Sequence, residues 1–236
     1  MILLRSILFT AVFYVCSTVT AIIMIPLLLA PRAWMIGIVR GWAYSVIWAL
    51  GVFCGVRLEI RGREYIPTSA ALLAPKHQGW FDAIVQLALL PDCCQVMKKE
   101  LMGIPLVGWY ARRVGMIVVD REGASKTMRK LLADGRQRLA DNRQILIFPE
   151  GHRMAPGAAP DYKPGVAALY GLGVLCVPVA TNSGVHWPAH GFLRYPGTIV
   201  VEFLEPIAPG LKRPAFMKEL ENRVETASNA LLAAKL

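Results

Sequence analysis

The segment AALLAPKHQGWFD, residues 70–82, indicates how this chain folds. It contains a short apolar run, then a polar turn, then an apolar stretch with helical spacing. From residue 56 onward short apolar runs alternate with helical patterns in the same way, which predicts seven strands, at residues 56–61, 70–74, 93–97, 114–119, 144–148, 174–180 and 198–203. Strands separated by helix-length segments pair in parallel. We therefore predict an α/β fold with a mixed, mostly parallel sheet flanked by helices on both faces.

Local spacing adds detail to this prediction. A short connection, residues 64–69, joins the first two predicted strands, so we expect them to form an antiparallel pair. The five cysteines lack metal-ligand spacing, and Cys93 and Cys94 are adjacent in a predicted strand, which favours core positions on opposite faces. Two helical stripes should also contact the core, one formed by Met128, Leu131, Leu132 and Leu139 and the other by Phe216, Leu220, Val224 and Leu231.

The composition points to a membrane and to an anionic partner. The chain has 236 residues, of which 55% are hydrophobic and 18% charged, and its net charge is +10. Intrinsic disorder is excluded by this hydrophobicity. Residues 1–56 contain three arginines and no acidic residue, whereas the other 180 residues carry a net charge of +7. We place the domain boundary here, with a membrane-embedded helical segment at 1–56 and an α/β domain at 57–236.

The N-terminal segment is long enough to enter a bilayer. Residues 6–30 form a run of 25 uncharged residues, and residues 41–56 a second run of 16. The second run is short for a span, and a spanning hairpin would place Arg32 and Arg40 opposite Arg5. We therefore expect two apolar helices that enter one leaflet, with the arginines on the cytoplasmic side. A single-span anchor is the main alternative, and a cleaved signal peptide is disfavoured because the apolar run is too long.

Polar residues follow five of the predicted strands. They include Lys76, His77 and Asp82 after the second strand, Lys98 and Lys99 after the third, Asp120 and Arg121 after the fourth, residues 149–153 after the fifth, and Thr181 and Asn182 after the sixth. In open α/β sheets the ligand crevice lies beyond the carboxyl ends of the strands. One shared site explains these five clusters better than five unrelated loops.

The residue types in these clusters predict base catalysis. A turn through Gly79 can bring Asp82 to His77, where it would fix the imidazole tautomer and leave the other nitrogen as a general base. No G-x-S-x-G nucleophile motif is present, so such a pair would activate a hydroxyl of the substrate. Basic residues at the same strand ends suit phosphate recognition, above all Arg121 and Arg153.

Other binding functions are disfavoured by the same sequence. Three of the six tryptophans lie in the apolar N-terminus, away from most of the basic residues, which argues against a nucleic-acid surface. His186 and His190 are separated by Pro188 and lack a third ligand, so we expect no metal site.

Four motifs in order resemble those of the glycerolipid acyltransferases. They are HQGWFD at 77–82, GMIVVDR at 115–121, FPEGHR at 148–153 and VPVA at 177–180, and they fall within residues 57–205. His152 stands where the family usually has Thr, and Met154 where Ser is common. The apolar two-helix start is similar to that of the bacterial 1-acylglycerol-3-phosphate acyltransferases, so the resemblance covers nearly the whole chain.

This resemblance implies a reaction and a set of roles. A fatty acyl group would pass from acyl-CoA or acyl-carrier protein to the 2-hydroxyl of lysophosphatidic acid, without an acyl-enzyme, metal or cofactor. His77 would be the base and Asp82 its partner. The resemblance assigns acceptor binding to Glu150, Gly151 and Arg153, and phosphate binding to Arg121 with Lys98 or Lys99. We expect oxyanion donors near Gly79 or Gly151.

The resemblance also implies a location, namely the inner (cytoplasmic) membrane with the catalytic domain facing the cytoplasm. Two other activities stay open from the sequence. The acceptor could be another lysolipid, a lysophospholipid or a lyso-aminolipid, and a membrane-bound lipid hydrolase is a more distant alternative.

Overall fold

A computed structural model describes residues 1–104, 106–120 and 124–234 of the protein. In chain order its helices are α1 (Ile2–Leu27), α2 (Arg32–Cys54), α3 (Trp80–Leu89), α4 (Val107–Val114), α5 (Ala124–Ala140), α6 (Gly165–Tyr170), α7 (Ser183–His186) and α8 (Arg213–Ala233). Its strands are β1 (Val56–Arg61), β2 (Ala71–Pro75), β3 (Cys93–Lys98), β4 (Ile117–Val119), β5 (Gln144–Leu146), β6 (Cys176–Thr181) and β7 (Gly197–Phe203). Two short 3-10 helices, Arg63–Tyr65 and Lys99–Gly103, lie between them.

The strands of the described residues form one sheet in the order β1-β7-β6-β2-β5-β3-β4. The pairs are parallel except for β6 with β7, so the predicted mixed, mostly parallel sheet is confirmed. The fourth strand is shorter than predicted, because residues up to Val114 belong to α4 and Gly115 ends that helix with a φ of 72°.

The prediction that the first two strands form an antiparallel pair is wrong. β1 pairs in parallel with β7 at the edge of the sheet, whereas β2 lies between β5 and β6. The burial of the two strands gives the reason. Every residue of β2 is buried, which requires covered faces on both sides, while β1 has a mixture of buried and exposed residues that suits an edge. A short connection permits a hairpin but does not require one.

Helices cover both faces of the sheet, as predicted. On one face, side chains of α2 and α3 pack with Leu73 and Val177 in a core that also includes Phe9 of α1. On the other face, α5, α6 and α8 pack on residues such as Leu72 and Ile145. The stripe Phe216, Leu220, Val224 and Leu231 is buried along its whole length, and Cys93 and Cys94 fall in the two different cores.

The two N-terminal helices are long and apolar enough to cross a membrane. α2 begins earlier than the second uncharged run, at Arg32, and is about 34 Å long. Its arginines contact the α/β part of the chain: Arg32 forms an ion pair with Asp92, and Arg40 donates to the carbonyl of Ala88 at the end of α3. The two parts of the chain therefore share contacts and a core, and the domain boundary at residue 56 stays a prediction based on charge.

Candidate active site

Five neighbouring strands point their carboxyl ends to one edge of the sheet. β6, β2, β5, β3 and β4 are consecutive in the sheet, and each pair among them is parallel. The polar residues that follow these strands therefore lie along a single edge, at the position where α/β proteins bind ligands. This arrangement agrees with the expectation of one shared site.

His77 and Asp82 meet at this edge. The chain leaves β2 at Pro75 and bends at Gly79, and α3 then begins at Trp80. Asp82 lies in the first turn of α3, where its Oδ2 is 3.2 Å from His77 Nδ1. Gly79 is needed at the turn because a Cβ there would lie 2.6 Å from the carbonyl oxygen of Trp187. The turn through Gly79 thus brings together two side chains that a continuous helix would separate.

The Asp82 carboxylate is held firmly. Its Oδ2 also accepts the backbone N–H groups of Gln78, at 2.5 Å, and Gly79, at 2.8 Å. Its Oδ1 accepts the hydroxyl of Ser183, which is completely buried. The amino-terminal position on α3 also stabilises the negative charge through the helix dipole. Sequence reasoning missed Ser183, although it directly follows the polar residues that end β6.

His77 is fixed by contacts on several sides. Its ring stacks on Phe148, with 3.7 Å between the ring centroids and 15° between the ring planes. Its backbone N–H donates to Glu150 Oε2 at 3.2 Å, and its carbonyl accepts the N–H of Met154 at 2.7 Å. The side chain is 16% exposed. Since Asp82 occupies Nδ1, Nε2 is the ring nitrogen left to face a substrate.

Glu150 lies in the interior, behind His77. Its side chain is 0% exposed, and Oε1 accepts the ammonium of Lys76 at 2.7 Å. Burial raises the pKa of the Glu150 carboxyl above its ordinary value, although Lys76 opposes this shift. Since Oε2 accepts the N–H of His77, both carboxylate oxygens are hydrogen-bonded within the protein. The role of Glu150 in acceptor binding stays a prediction. Sequence reasoning assigned no role to Lys76, even though it precedes His77 directly.

Three of the four predicted phosphate-binding residues are described, and they lie along the same edge. Arg153 lies over Trp80, two residues before Asp82: its guanidinium carbon is 5.3 Å from the ring centre of Trp80, and Nη1 donates to the carbonyl of Ala189. Lys98 and Lys99 are exposed at the end of β3, where Lys99 forms an ion pair with Asp120. Arg121 lies outside the described residues. The grouping of these four side chains on one phosphate stays a prediction.

The N–H groups of the two glycines expected near the oxyanion have partners within the protein, and the oxyanion donors near them stay a prediction. The N–H of Gly79 donates to Asp82, and that of Gly151 donates to the carbonyl of Phe148. Gly151 instead allows the tight turn after Glu150, with a φ of 69°. Within the described ranges no group of three or more His, Cys, Asp or Glu residues could hold a metal ion.

This geometry provides a base for an incoming hydroxyl. A histidine oriented by a buried carboxylate can remove a proton from an acceptor that approaches Nε2. The Ser183 hydroxyl donates to Asp82, and no serine or cysteine in the described part of the chain is hydrogen-bonded to His77. The arrangement therefore suits transfer to a hydroxyl of the substrate.

Comparison with known proteins agrees with this chemistry. The 1-acyl-sn-glycerol-3-phosphate acyltransferase of Pseudomonas aeruginosa is 32% identical over 80% of this chain and 74% of that protein. The Helicobacter pylori enzyme of the same name is also 32% identical, over 72% of this chain and 73% of that protein. In fold, the protein is similar to the crystal structure of the 1-acyl-sn-glycerophosphate acyltransferase PlsC from Thermotoga maritima. That likeness has a TM-score of 0.80 and 22% identity, and it covers 99% of this chain and 98% of the other. Residues 57–182 match the sequence model of the acyltransferase family, and the chain belongs to that family.

Proposed function

We propose that this enzyme transfers a fatty acyl group from an acyl thioester to the 2-hydroxyl of 1-acylglycerol-3-phosphate, which yields phosphatidic acid. The observation that carries the proposal is the contact between His77 and Asp82, at 3.2 Å, on the ligand-binding edge of the sheet. The names of the Pseudomonas and Helicobacter relatives support this choice of acceptor.

The transfer is direct. His77 Nε2 removes the proton of the acceptor hydroxyl while the hydroxyl oxygen attacks the carbonyl carbon of the thioester. The new C–O bond forms, the C–S bond breaks, and the departing sulfur takes the proton from the imidazolium. Asp82 orients the imidazole and stabilises its positive charge during the reaction. No covalent enzyme intermediate, metal or cofactor takes part.

Basic side chains bind the acceptor phosphate. Arg153 is the best placed of them, because it packs on Trp80 at the start of the helix that carries Asp82. Lys98 and Lys99 provide further positive charge at the end of β3. Arg121, which lies outside the described residues, is included with them from the sequence. The donor is acyl-CoA or acyl-carrier protein.

The two N-terminal helices seat the enzyme in the inner (cytoplasmic) membrane, with the catalytic domain facing the cytoplasm. Both helices enter one leaflet. Their exposed apolar side chains support contact with lipid, and they include Ile7, Leu8, Val15, Ile22 and Ile23 on α1 and Trp34, Trp48 and Val52 on α2. Lysolipid and acyl chains partition into this layer, which brings the acceptor to the site.

An acceptor panel tests this function. The purified protein is given acyl-CoA or acyl-carrier protein as donor, with 1-acylglycerol-3-phosphate, a lysophosphatidylcholine or a phosphate-free monoacylglycerol as acceptor. We expect phosphatidic acid and free thiol in equal amounts, with the phosphate monoester the best acceptor. Equal rates on the phosphate-free acceptor would contradict the proposal. Release of fatty acid without any acceptor would instead identify a hydrolase.

A further inference from the structure

A buried charged cluster lies directly behind the proposed base. Lys76, Glu150, Glu225 and Tyr162, here called the Lys76 cluster, come from the end of β2, from the turn after β5, from α8 and from the loop before α6. The ammonium of Lys76 is 2.7 Å from Glu150 Oε1, 2.8 Å from Glu225 Oε1 and 2.9 Å from Glu225 Oε2. Tyr162 donates its hydroxyl to Glu225 Oε1 at 3.0 Å.

The cluster is fully paired at its centre. The side chain of Lys76 is 2% exposed, so its charge has left water almost completely. Burial of an ammonium costs several kcal/mol unless carboxylates and hydrogen bonds compensate. Its three N–H donors can meet three carboxylate oxygens, two of which belong to Glu225. Glu225 therefore provides most of the partners of this charge.

The cluster ends on the backbone of His77. The N–H of Lys76 still bonds to the carbonyl of Val179 on β6, but His77 lies beyond the end of β2. The N–H of His77 instead donates to Glu150 Oε2, and the carbonyl of His77 accepts the N–H of Met154. Glu150 thus accepts the His77 N–H, as a backbone carbonyl of a neighbouring strand would. Lys76 holds the other oxygen of the same carboxylate.

We infer that Glu225 of α8 is a positioning residue for His77 and acts through Lys76 and Glu150. The inference rests on the proposed function. Without the Glu225 carboxylate, Lys76 has only Glu150 as a charged partner. Glu150 then turns towards the ammonium and away from the His77 N–H. A displacement of about 1 Å at a reacting group can lower a rate about 100-fold. Glu225 itself contacts neither substrate nor ring.

The test compares Glu225→Gln with Glu221→Gln. Glu221 lies one turn earlier on α8 and is partly exposed, so its variant removes the same charge outside the cluster. With the acceptor and donor that the wild type uses best, we expect Glu225→Gln to lower kcat about 10- to 100-fold with KM within about twofold. Glu221→Gln keeps its kcat. An equal loss in both variants, or a lower melting temperature with unchanged kcat in Glu225→Gln, overturns the inference.

A second background tests the route through Lys76. In a Lys76→Met protein the route from Glu225 to Glu150 is already broken, so adding Glu225→Gln should lower kcat no further. If the double variant instead loses the product of the two single-variant factors in kcat, the two residues act independently and the inference is contradicted. If Lys76→Met does not fold, Tyr162→Phe replaces it in the test. This variant removes one hydrogen bond to Glu225 and should lower kcat a fewfold without changing KM. An unchanged kcat overturns the inference.

The same assays separate the inference from the proposed function. A wild type inactive on every acceptor refutes the proposed function, whereas an active wild type with a fully active Glu225→Gln refutes the inference alone.

Discussion

Replacement of Asp82 by Asn removes one charge and keeps the shape of the site. The amide oxygen of Asn can still accept the N–H groups of Gln78 and Gly79, and its NH2 group can donate to the Ser183 oxygen. We therefore expect the variant to fold, with a loss of about 1–3 kcal/mol in the free energy of unfolding from weaker hydrogen bonds.

The catalytic cost follows from the distance between the two charges. In the proposed transition state the imidazole of His77 becomes positive 3.2 Å from the Asp82 oxygen. With an effective dielectric constant of about 20, a full positive charge there gains about 5 kcal/mol, and a half-transferred proton about 2.5 kcal/mol. Each 1.36 kcal/mol changes a rate tenfold, so Asp82→Asn should lower kcat by about 10² to 10⁴.

The assay follows acyl transfer from a thioester to 1-acylglycerol-3-phosphate by thiol release, with thermal unfolding measured in parallel. Ser183→Ala is the matched control, because it removes a hydrogen bond to the same carboxylate and leaves the charge in place. We expect it to lower kcat by about tenfold at most. An Asp82→Asn protein that folds and keeps a kcat within tenfold of the wild type would refute the role of this charge.

Three further variants test the site and its support. His77→Ala should reduce acyl transfer to background while the protein still folds, as measured by product formation and circular dichroism; substantial remaining transfer argues against a histidine base. Gly79→Ala should destabilise the protein by about 1–3 kcal/mol, since its Cβ would lie 2.6 Å from the Trp187 oxygen, and an unchanged melting temperature contradicts this contact. Asp92→Asn removes the carboxylate that lies 3.0 Å from the guanidinium of the buried Arg143, and it should lower the free energy of unfolding in denaturant by about 1–3 kcal/mol. A loss below about 0.5 kcal/mol, as for a surface substitution, would contradict this prediction.

The comparison with the relatives limits what can be assigned by similarity alone. Both bacterial relatives are 32% identical to this chain, which shows the family. Glu150 belongs to a motif that the resemblance assigns to the acceptor, yet its carboxylate is buried against Lys76 and the His77 backbone. The Lys76 cluster therefore connects this motif to the backbone of the proposed base, His77.

Several features of the protein could be read from its sequence because they depend on local pattern. The alternation of apolar runs with helical spacing determined the α/β class and the number of strands. The polar residues after five strands indicated a shared site, since parallel strands end at one edge. The spacing of His77 and Asp82 around Gly79 was enough to predict their contact. Each of these depends on residues close together in the chain or on a general rule of sheet geometry.

Other features were decided only by the tertiary structure. The position of β1 at the sheet edge depends on which strands occupy the buried centre of the sheet. The spacing of residues along the chain does not indicate this. The bond from Ser183 to Asp82 joins residues 101 positions apart, and the bond from Lys76 to Glu225 joins residues 149 positions apart. A serine after a strand or a glutamate on a helix is ordinary in sequence. The partners of Ser183 and Glu225 depend on how β6 and α8 pack beside β2. Burial of the whole apolar core determines that packing.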